Sequence, residues 1–224
     1  MLKTDFENSD LHIGIDESGR GPLAGPVVVA AVIFDYKNTD LDLLKGITDS
    51  KKVSKKKREL LEKVIKDNAL CWSTSVVSNK IIDDINILQA TLKGMETCVD
   101  KIVSQCKSEN IKFDRILVDG NHFKPYFNPW LSESNTNIVI PHSCVIKGDA
   151  TYLSIAAASI LAKVEHDRCI SNIIDEHPEY CEQYNWQNNM CYGTKAHIEG
   201  IKKHGITSLH RKSFCSKYIK FFHD

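Results

Sequence analysis

Short apolar runs broken by turns dominate the first third of the chain; further on, apolar positions recur at helical spacing. Residues 11–16 (LHIGID) read as a short strand. Residues 26–35 (PVVVAAVIFD) are a long β-branched run, which suits a central strand covered on both faces. Between the two lies SGRGPLAG, a glycine-dense turn. Residues 55–67 (KKKRELLEKVIKD) have helical period, with Ser54 placed to cap the helix start. Residues 70–78 read as a strand, and over 85–106 the positions Ile85, Leu88, Leu92, Met95, Val99 and Ile102 follow one helical face. RILVD (115–119) is a strand ending in Asp119, and a further strand is expected in 137–146 (NIVIPHSCVI). Residues 152–164 (YLSIAAASILAKV) are apolar almost all round, so the helix they form is buried on several sides. Residues 178–194 mix turn and aromatic residues without a readable period. Strands followed by strands alternating with helices point to an α/β layered domain. No repeat and no Pro/Gly/Ser-rich linker divides the chain, so a single domain over 1–224 is expected.

Composition narrows the functional classes. Lys+Arg and Asp+Glu are both 29, so binding driven by bulk positive charge is excluded, while a local basic face stays open. No run reaches the roughly 18 apolar residues of a membrane span, and MLKTDFENSDLH has no apolar h-region, so no membrane or secretory role is expected. The 8 cysteines are scattered without a CxxC pair, which fits reduced thiols in a cytoplasmic protein and gives no zinc ligand set.

The acids carry more information. Asp16 and Glu17 end the first strand, Asp119 ends another, and Asp149 lies between the strand-like 137–146 and the apolar helix. Ligands of open α/β sheets bind beyond strand ends, so acids from separate strands can converge there. Clustered carboxylates repel unless a cation lies between them, and an all-oxygen set suits Mg²⁺ or Mn²⁺. Two such ions about 4 Å apart can activate a water and stabilise the leaving oxygen of a phosphodiester. Each acid also has an ordinary reading: Asp149 as a helix cap, Asp119-Gly120 as a turn, Asp16 and Glu17 as solvated turn acids. Adjacent strand residues point to opposite faces, so Asp16 and Glu17 share a site only if the chain turns at Gly19.

Gly14 and Gly19 have P-loop spacing, but Arg20 and Gly21 replace its lysine and Ser/Thr, so that motif is rejected. The glycines instead let backbone amides approach a ligand, or simply make a tight connection. Basic residues gather in 49–58 and again at Lys202, Lys203, Arg211, Lys212, Lys217 and Lys220; they are either solvated faces or a nucleic-acid surface. Tyr180, Tyr184, Trp186 and Tyr192 are either core or a stacking platform.

Taken together, these stretches resemble the type 2 ribonucleases H, the bacterial ribonuclease HII family. The matching segments are GIDESGRGPLAGPVVVAAVIF (14–34), TDSKKVSKKKR (48–58), NILQAT (86–91), ILVDGN (116–121), VIKGDATYLSIAAASILAKVEHDR (145–168), CYGTKAH (191–197) and HGITSLHRKSF (204–214). They run in family order over nearly the whole chain. The resemblance implies a ribonuclease-H-like α/β fold: a mixed central sheet flanked by helices, with a small C-terminal helical part roughly over 178–224. It implies that Asp16, Glu17, Asp119 and Asp149 hold two divalent ions, Mg²⁺ or Mn²⁺. It also implies that Gly19, Arg20 and Gly21 read the 2′-hydroxyl, that Lys51 contacts substrate phosphate, and that Tyr192 packs on the sugar beside the scissile phosphate. Asp167 would stand outside the metal set. Type 3 enzymes lack the arginine of the turn and carry an extra N-terminal domain; here Arg20 is present and 15 residues precede Asp16.

The chain also departs from the family pattern. Cys191 stands where the family usually has glycine, 181–190 looks longer than typical, and Glu165-His166 replace a common Thr-Arg pair. The C-terminal SKYIKFFHD faintly resembles a sliding-clamp peptide but lacks its glutamine, so it reads as an amphipathic tail. The expectation is therefore a monomeric endonuclease acting on RNA–DNA hybrids and on duplex DNA 5′ of an embedded ribonucleotide. A hybrid-binding protein of the same fold without turnover is the alternative.

Overall fold

The computed structural model describes residues 2–7, 9, 11–128 and 138–219. Its main sheet has five strands: β1 (His12–Ser18), β2 (Val27–Ile33), β3 (Cys71–Val77), β4 (Arg115–Asp119) and, after two short strands β5 (Tyr126–Asn128) and β6 (Ile138–Ile140), β7 (His142–Val145). The order is β3-β2-β1-β4-β7. β1, β2 and β3 are antiparallel neighbours, whereas β4 and β7 run parallel to β1, so the sheet is mixed. All seven residues of β2 are buried, as the continuous β-branched run requires.

Helices cover both faces. α1 (Lys55–Asn68) starts at Ser54, whose hydroxyl accepts from the Lys57 amide at 3.4 Å. α2 (Asn79–Ser108) packs on one face, its Met95, Val99 and Ile102 against Ile13, Ile15, Ile116 and Val118. It starts six residues before the predicted helix and kinks at Asn86 (φ 65°), whose side chain accepts from the Gln89 amide and restarts the helix. α3 (Leu153–Glu176) lies on the other face. Its alanines 156, 157, 158 and 162 are all buried, so the helix sits close to the sheet. Gly14 is needed there: a Cβ would run into the backbone of Ser154 and Ile155. The expected helix over 152–164 continues twelve residues further, to Glu176, because its later part covers the C-terminal cluster through Ile170 and Ile173.

The single strand expected over 137–146 is two strands. Pro141, which has no amide to donate, separates β6 from β7; β6 pairs with β5 in a small second sheet and β7 joins the main one. Residue 137 lies outside the described residues. The region 178–194, which had no readable period, holds two short helices, α4 (Glu179–Tyr184) and α5 (Trp186–Asn189). α6 (Lys195–His204) and α7 (Lys212–Cys215) complete the helical C-terminal part. Among the described residues no helix is long and apolar enough to cross a membrane. All eight cysteines are free thiols, five of them buried.

Candidate active site

The parallel pairing of β1 with β4 and of β4 with β7 brings three strand ends to one edge of the sheet. Ile15 pairs with Val118, so the next residues, Asp16 and Asp119, stand side by side. Side chains at matched positions of parallel strands share a face. This face is the one covered by α3. β1 runs on to Ser18 beyond its last pairing with β4 and turns at Gly19 (φ 89°), which lets Glu17 line the same cleft from the strand end. Asp149 lies in a single 3-10 turn, Gly148–Ala150, between β7 and α3. Its neighbour Gly148 donates its amide to Asp119 Oδ1 at 2.7 Å. Asp149 does not cap α3, whose first turn has no side-chain cap.

The cleft has a volume of about 430 Å³. Asp16, Glu17 and Asp119 line it together with Ser18, Gly19, Arg20, Gly21, Ser50, Lys51, Ser159, Lys163 and Tyr192. Three of the four singled-out acids are thus on its wall, and Asp149 adjoins them through Asp119. The turn, Lys51 and Tyr192 are on the wall as well. Sequence reasoning did not single out Ser50, Ser159 and Lys163. Ser159 and Lys163 sit one helical turn apart on α3; the Ser159 hydroxyl meets that of Ser50 at 2.9 Å and offsets part of the rise of the Asp16 carboxyl. Their spacing in the apolar helix was the available signal: two polar residues at i and i+4 on a helix otherwise buried all round.

The electrostatics are those of an acid cluster short of positive charge. Asp16 is raised well above the ordinary carboxylate range, by burial first and then by Glu17 and Asp119. Glu17 is raised by burial against the opposing Arg20 guanidinium, with Asp119 adding to the rise; Arg20 Nη1 stands 3.1 Å from Glu17 Oε1. Asp149 is raised by burial, then by Asp119 and Asp49. Lys51 pulls Glu17 and Asp149 the other way. Among the described residues no three His, Cys, Asp or Glu side chains are drawn together closely enough to enclose a metal ion. The acids border the cleft rather than meeting at a point.

The Gly19-Arg20-Gly21 turn is tightly built. A Cβ on Gly19 would lie 2.3 Å from Cδ2 of buried His166 and 2.9 Å from the Pro26 carbonyl oxygen. A Cβ on Gly21 would meet only Tyr192, at 3.3 Å. Tyr192 is 41% exposed, with its ring beside the turn. Cys191 before it has φ 64°, the left-handed region that glycine occupies without strain.

Several other residues are structural. Trp186 and Tyr184 are buried, stacked on one another, and Trp186 Nε1 donates to His197 Nε2 at 3.0 Å. With Tyr180 packed against them they form core, and Trp186 is too deep to serve as a stacking platform. Arg58 donates to the Ser50 and Val53 carbonyls at 3.0 and 2.6 Å and pairs with Asp167 at 3.3 Å, holding the short turn that presents Lys51. Asp167 is off the cleft wall; burial would raise its carboxyl, but His166 and Lys163 beside it hold it down at about 2. Arg211 is wholly buried and so is no part of a basic surface, in contrast to exposed Lys202, Lys203, Lys212 and Lys217. Of the clamp-like tail, Ser216–Tyr218 form one 3-10 turn, and Lys220 with the residues after it lies outside the described residues.

The chain is similar to proteins already known. Residues 13–217 match the family model described as ribonuclease HII. The chain is 46% identical to ribonuclease HII of Rickettsia canadensis over 201 residues, covering 90% of this chain and 88% of that one. It is 42% identical to ribonuclease HII of Parabacteroides distasonis over 216 residues, covering 96% and 94%. Among solved structures it resembles ribonuclease H2 of Pyrococcus horikoshii OT3, with TM-score 0.65 and 26% identity over 93% of this chain and 96% of that one.

Proposed function

The chain belongs to the ribonuclease HII family and is a ribonuclease H, an endonuclease of RNA–DNA hybrids; on that premise we propose that its cleft also cuts duplex DNA on the 5′ side of an embedded ribonucleotide, leaving a 3′-hydroxyl and a 5′-phosphate. The observation that carries this reading is the side-by-side placement of Asp16 and Asp119 in one cleft with the Gly19-Arg20-Gly21 turn and Tyr192. Acids for phosphoryl chemistry then face a device that can inspect a sugar.

Ribonucleases H use divalent metal ions. The residues here fit such a group: the donors are all carboxylate oxygens, and three of them are pushed up by burial and by one another, which an added cation would relieve. Mg²⁺ is commonly held by one or two carboxylates with waters and substrate phosphate, so acids that border a cleft without closing a shell suit an ion completed by substrate. Asp16, Glu17, Asp119 and Asp149 would hold two Mg²⁺ or Mn²⁺ ions. When bound, these supply an activated water and stabilise the leaving oxygen. Lys51 steadies a substrate phosphate as a point charge. Arg20 and the amides of its turn meet the 2′-hydroxyl, which separates RNA from DNA. Tyr192 packs on the ribose. The sheet and the helical C-terminal part work as one catalytic unit, because the cleft draws on both.

The test is cleavage of end-labelled duplex DNA carrying one ribonucleotide, with Mg²⁺, beside an all-DNA control. A single cut 5′ of the ribonucleotide with the control intact is expected. Cutting of long hybrids alone would overturn the reading of the turn; tight hybrid binding without any cutting would favour the binding module. In the same assay Tyr192→Ala is expected to slow cutting at the isolated ribonucleotide roughly 5- to 150-fold, the worth of one aromatic packing contact of ~1–3 kcal/mol. Unchanged rates would remove Tyr192 from the site.

Metal addition has its own readout in stability. At a concentration about 100 times its Kd, one ion adds about 2.7 kcal/mol, which raises the melting temperature of a chain this size by roughly 5–10 °C. That gain should be present at neutral pH and be lost as pH falls toward the ordinary carboxylate value of ~4, because protons occupy these raised carboxyls before that value is reached. Absence of a metal-dependent shift at neutral pH would count against the carboxylates as ligands.

A further inference from the structure

We infer that Arg211 is a positioning residue for the Gly19-Arg20-Gly21 turn, and that selectivity for ribose is thereby set from the C-terminal part of the chain; this rests on the reading of that turn as the 2′-hydroxyl reader. The guanidinium is wholly buried and spreads over four backbone carbonyls of one loop. Nε donates to Gly25 O at 3.0 Å, Nη1 to Arg20 O at 2.9 Å, and Nη2 to Gly19 O at 2.7 Å and Pro26 O at 2.8 Å. Among the described residues no carboxylate forms an ion pair with it. Burial accordingly draws its pKa down to about 10. A buried cation with no carboxylate in direct contact and only Asp83 acting at longer range is costly, and apolar side chains fill space without that cost. What a guanidinium adds is a planar fork that fixes several acceptors in one geometry.

The consequence for the turn follows from peptide planarity. In a trans peptide the carbonyl of one residue and the amide of the next point in opposite directions. Arg211 draws the carbonyls of Gly19 and Arg20 inward, so the amides of Arg20 and Gly21 are turned outward. Among the described residues neither amide donates a hydrogen bond within the protein. Two adjacent free donors on a glycine-rich turn make a concavity for an oxygen ligand. Arg211 itself is held on both sides. Its amide donates to Leu23 O at 2.8 Å, and the Asn79 side chain donates to Ser208 O and His210 O at 2.9 and 3.1 Å. Its neighbour His210 meets His197 at 3.1 Å between Nε2 atoms, and His197 Nδ1 bonds the Tyr192 carbonyl at 3.0 Å. One dipeptide, His210-Arg211, therefore ties down both the turn and the tyrosine.

The test measures binding preference, which a general loss of stability would not move. In an Asp119→Asn background, affinity is measured for duplex DNA with one ribonucleotide and for the same duplex without it. Arg211→Lys keeps the charge and loses the fork; Arg211→Gln is neutral and keeps an amide donor. Both are expected to shrink the preference at least about tenfold while leaving affinity for all-DNA duplex unchanged. A preference that survives both variants, or an equal loss of affinity for the two duplexes, would overturn the positioning role. A parent without any preference would overturn this and the reading of the turn together. If neither variant melts cooperatively, Arg211 is a strut of the whole fold and the positioning role is overturned.

Discussion

Asp119→Asn is expected to lower the rate of hybrid cleavage about 10³-fold, the loss of about 4 kcal/mol of transition-state charge stabilisation, while making the metal-free protein more stable. The two effects have one cause. Asp119 stands beside Asp16 and helps to raise the carboxyls of Asp16, Glu17 and Asp149. Asparagine keeps an oxygen for the Gly148 amide, now 2.7 Å from Oδ1, so the turn before α3 survives. It removes one of four clustered charges. Each close like-charge contact relieved is worth at least about 1 kcal/mol, and every kcal/mol raises the melting temperature of a chain this size by roughly 2–4 °C.

The pH dependence fixes the sign. A carboxyl raised in the folded state contributes stability that is complete below its unfolded pKa and is lost as pH rises through its folded value. The metal-free wild type should therefore lose stability between the ordinary carboxylate range and neutrality, and Asp119→Asn should lose less. Melting curves in chelator at both ends of that window, with hybrid cleavage in Mg²⁺, check both claims. Undiminished cleavage would remove Asp119 from the chemistry. Cleavage lost without a stability gain at neutral pH would mean that the acids are already compensated.

Elements whose pattern had one cause were legible in the sequence. The β-branched run of β2 and the Ser54 cap of α1 had no competing explanation and are found at their expected places, and the all-round apolar segment forms the first half of α3, which runs on to Glu176. The strand over 137–146 was misread because apolar pattern does not reveal which sheet a strand joins, and Pro141 moves one half into a second sheet. The four acids were legible as strand-end residues, but not as neighbours: adjacency depends on the parallel register of β1 and β4, which periodicity leaves undetermined. Arg211 shows the opposite failure. Among lysines it read as surface charge, and only the loop it serves, some 190 residues earlier (residues 19–26), explains why it is buried. Residue type alone left Trp186 and Tyr192 undecided between core and platform, yet the first bonds a buried histidine and the second lines the cleft.

Gly19→Ala is expected to collapse discrimination between ribose and deoxyribose by about 10³-fold or more, measured as the ratio of kcat/KM on single-ribonucleotide duplex to background nicking of all-DNA duplex. Sites built to hydrogen-bond a substrate hydroxyl reject the analogue lacking it by about 10⁴–10⁵, so a displaced reader has that much to lose. Gly19 combines two constraints: φ 89°, and a Cβ position that clashes with the His166 ring at 2.3 Å and with Pro26 O at 2.9 Å. The conformational strain costs about 1–2 kcal/mol and the overlap a further ~1–3. That is within the roughly 5–15 kcal/mol that holds a domain folded, so the chain should still fold with its turn displaced. Gly21→Ala is the internal control: its Cβ meets only the Tyr192 ring edge at 3.3 Å, so a small movement of that ring accommodates it. Gly21→Ala should therefore lose much less selectivity than Gly19→Ala. If Gly19→Ala lowers the melting temperature but leaves the ratio intact, the strain has been absorbed around His166 and the turn does not read the sugar. If Gly21→Ala loses as much selectivity as Gly19→Ala, the reading depends on the Tyr192 ring beside Gly21 rather than on the backbone that Gly19 shapes.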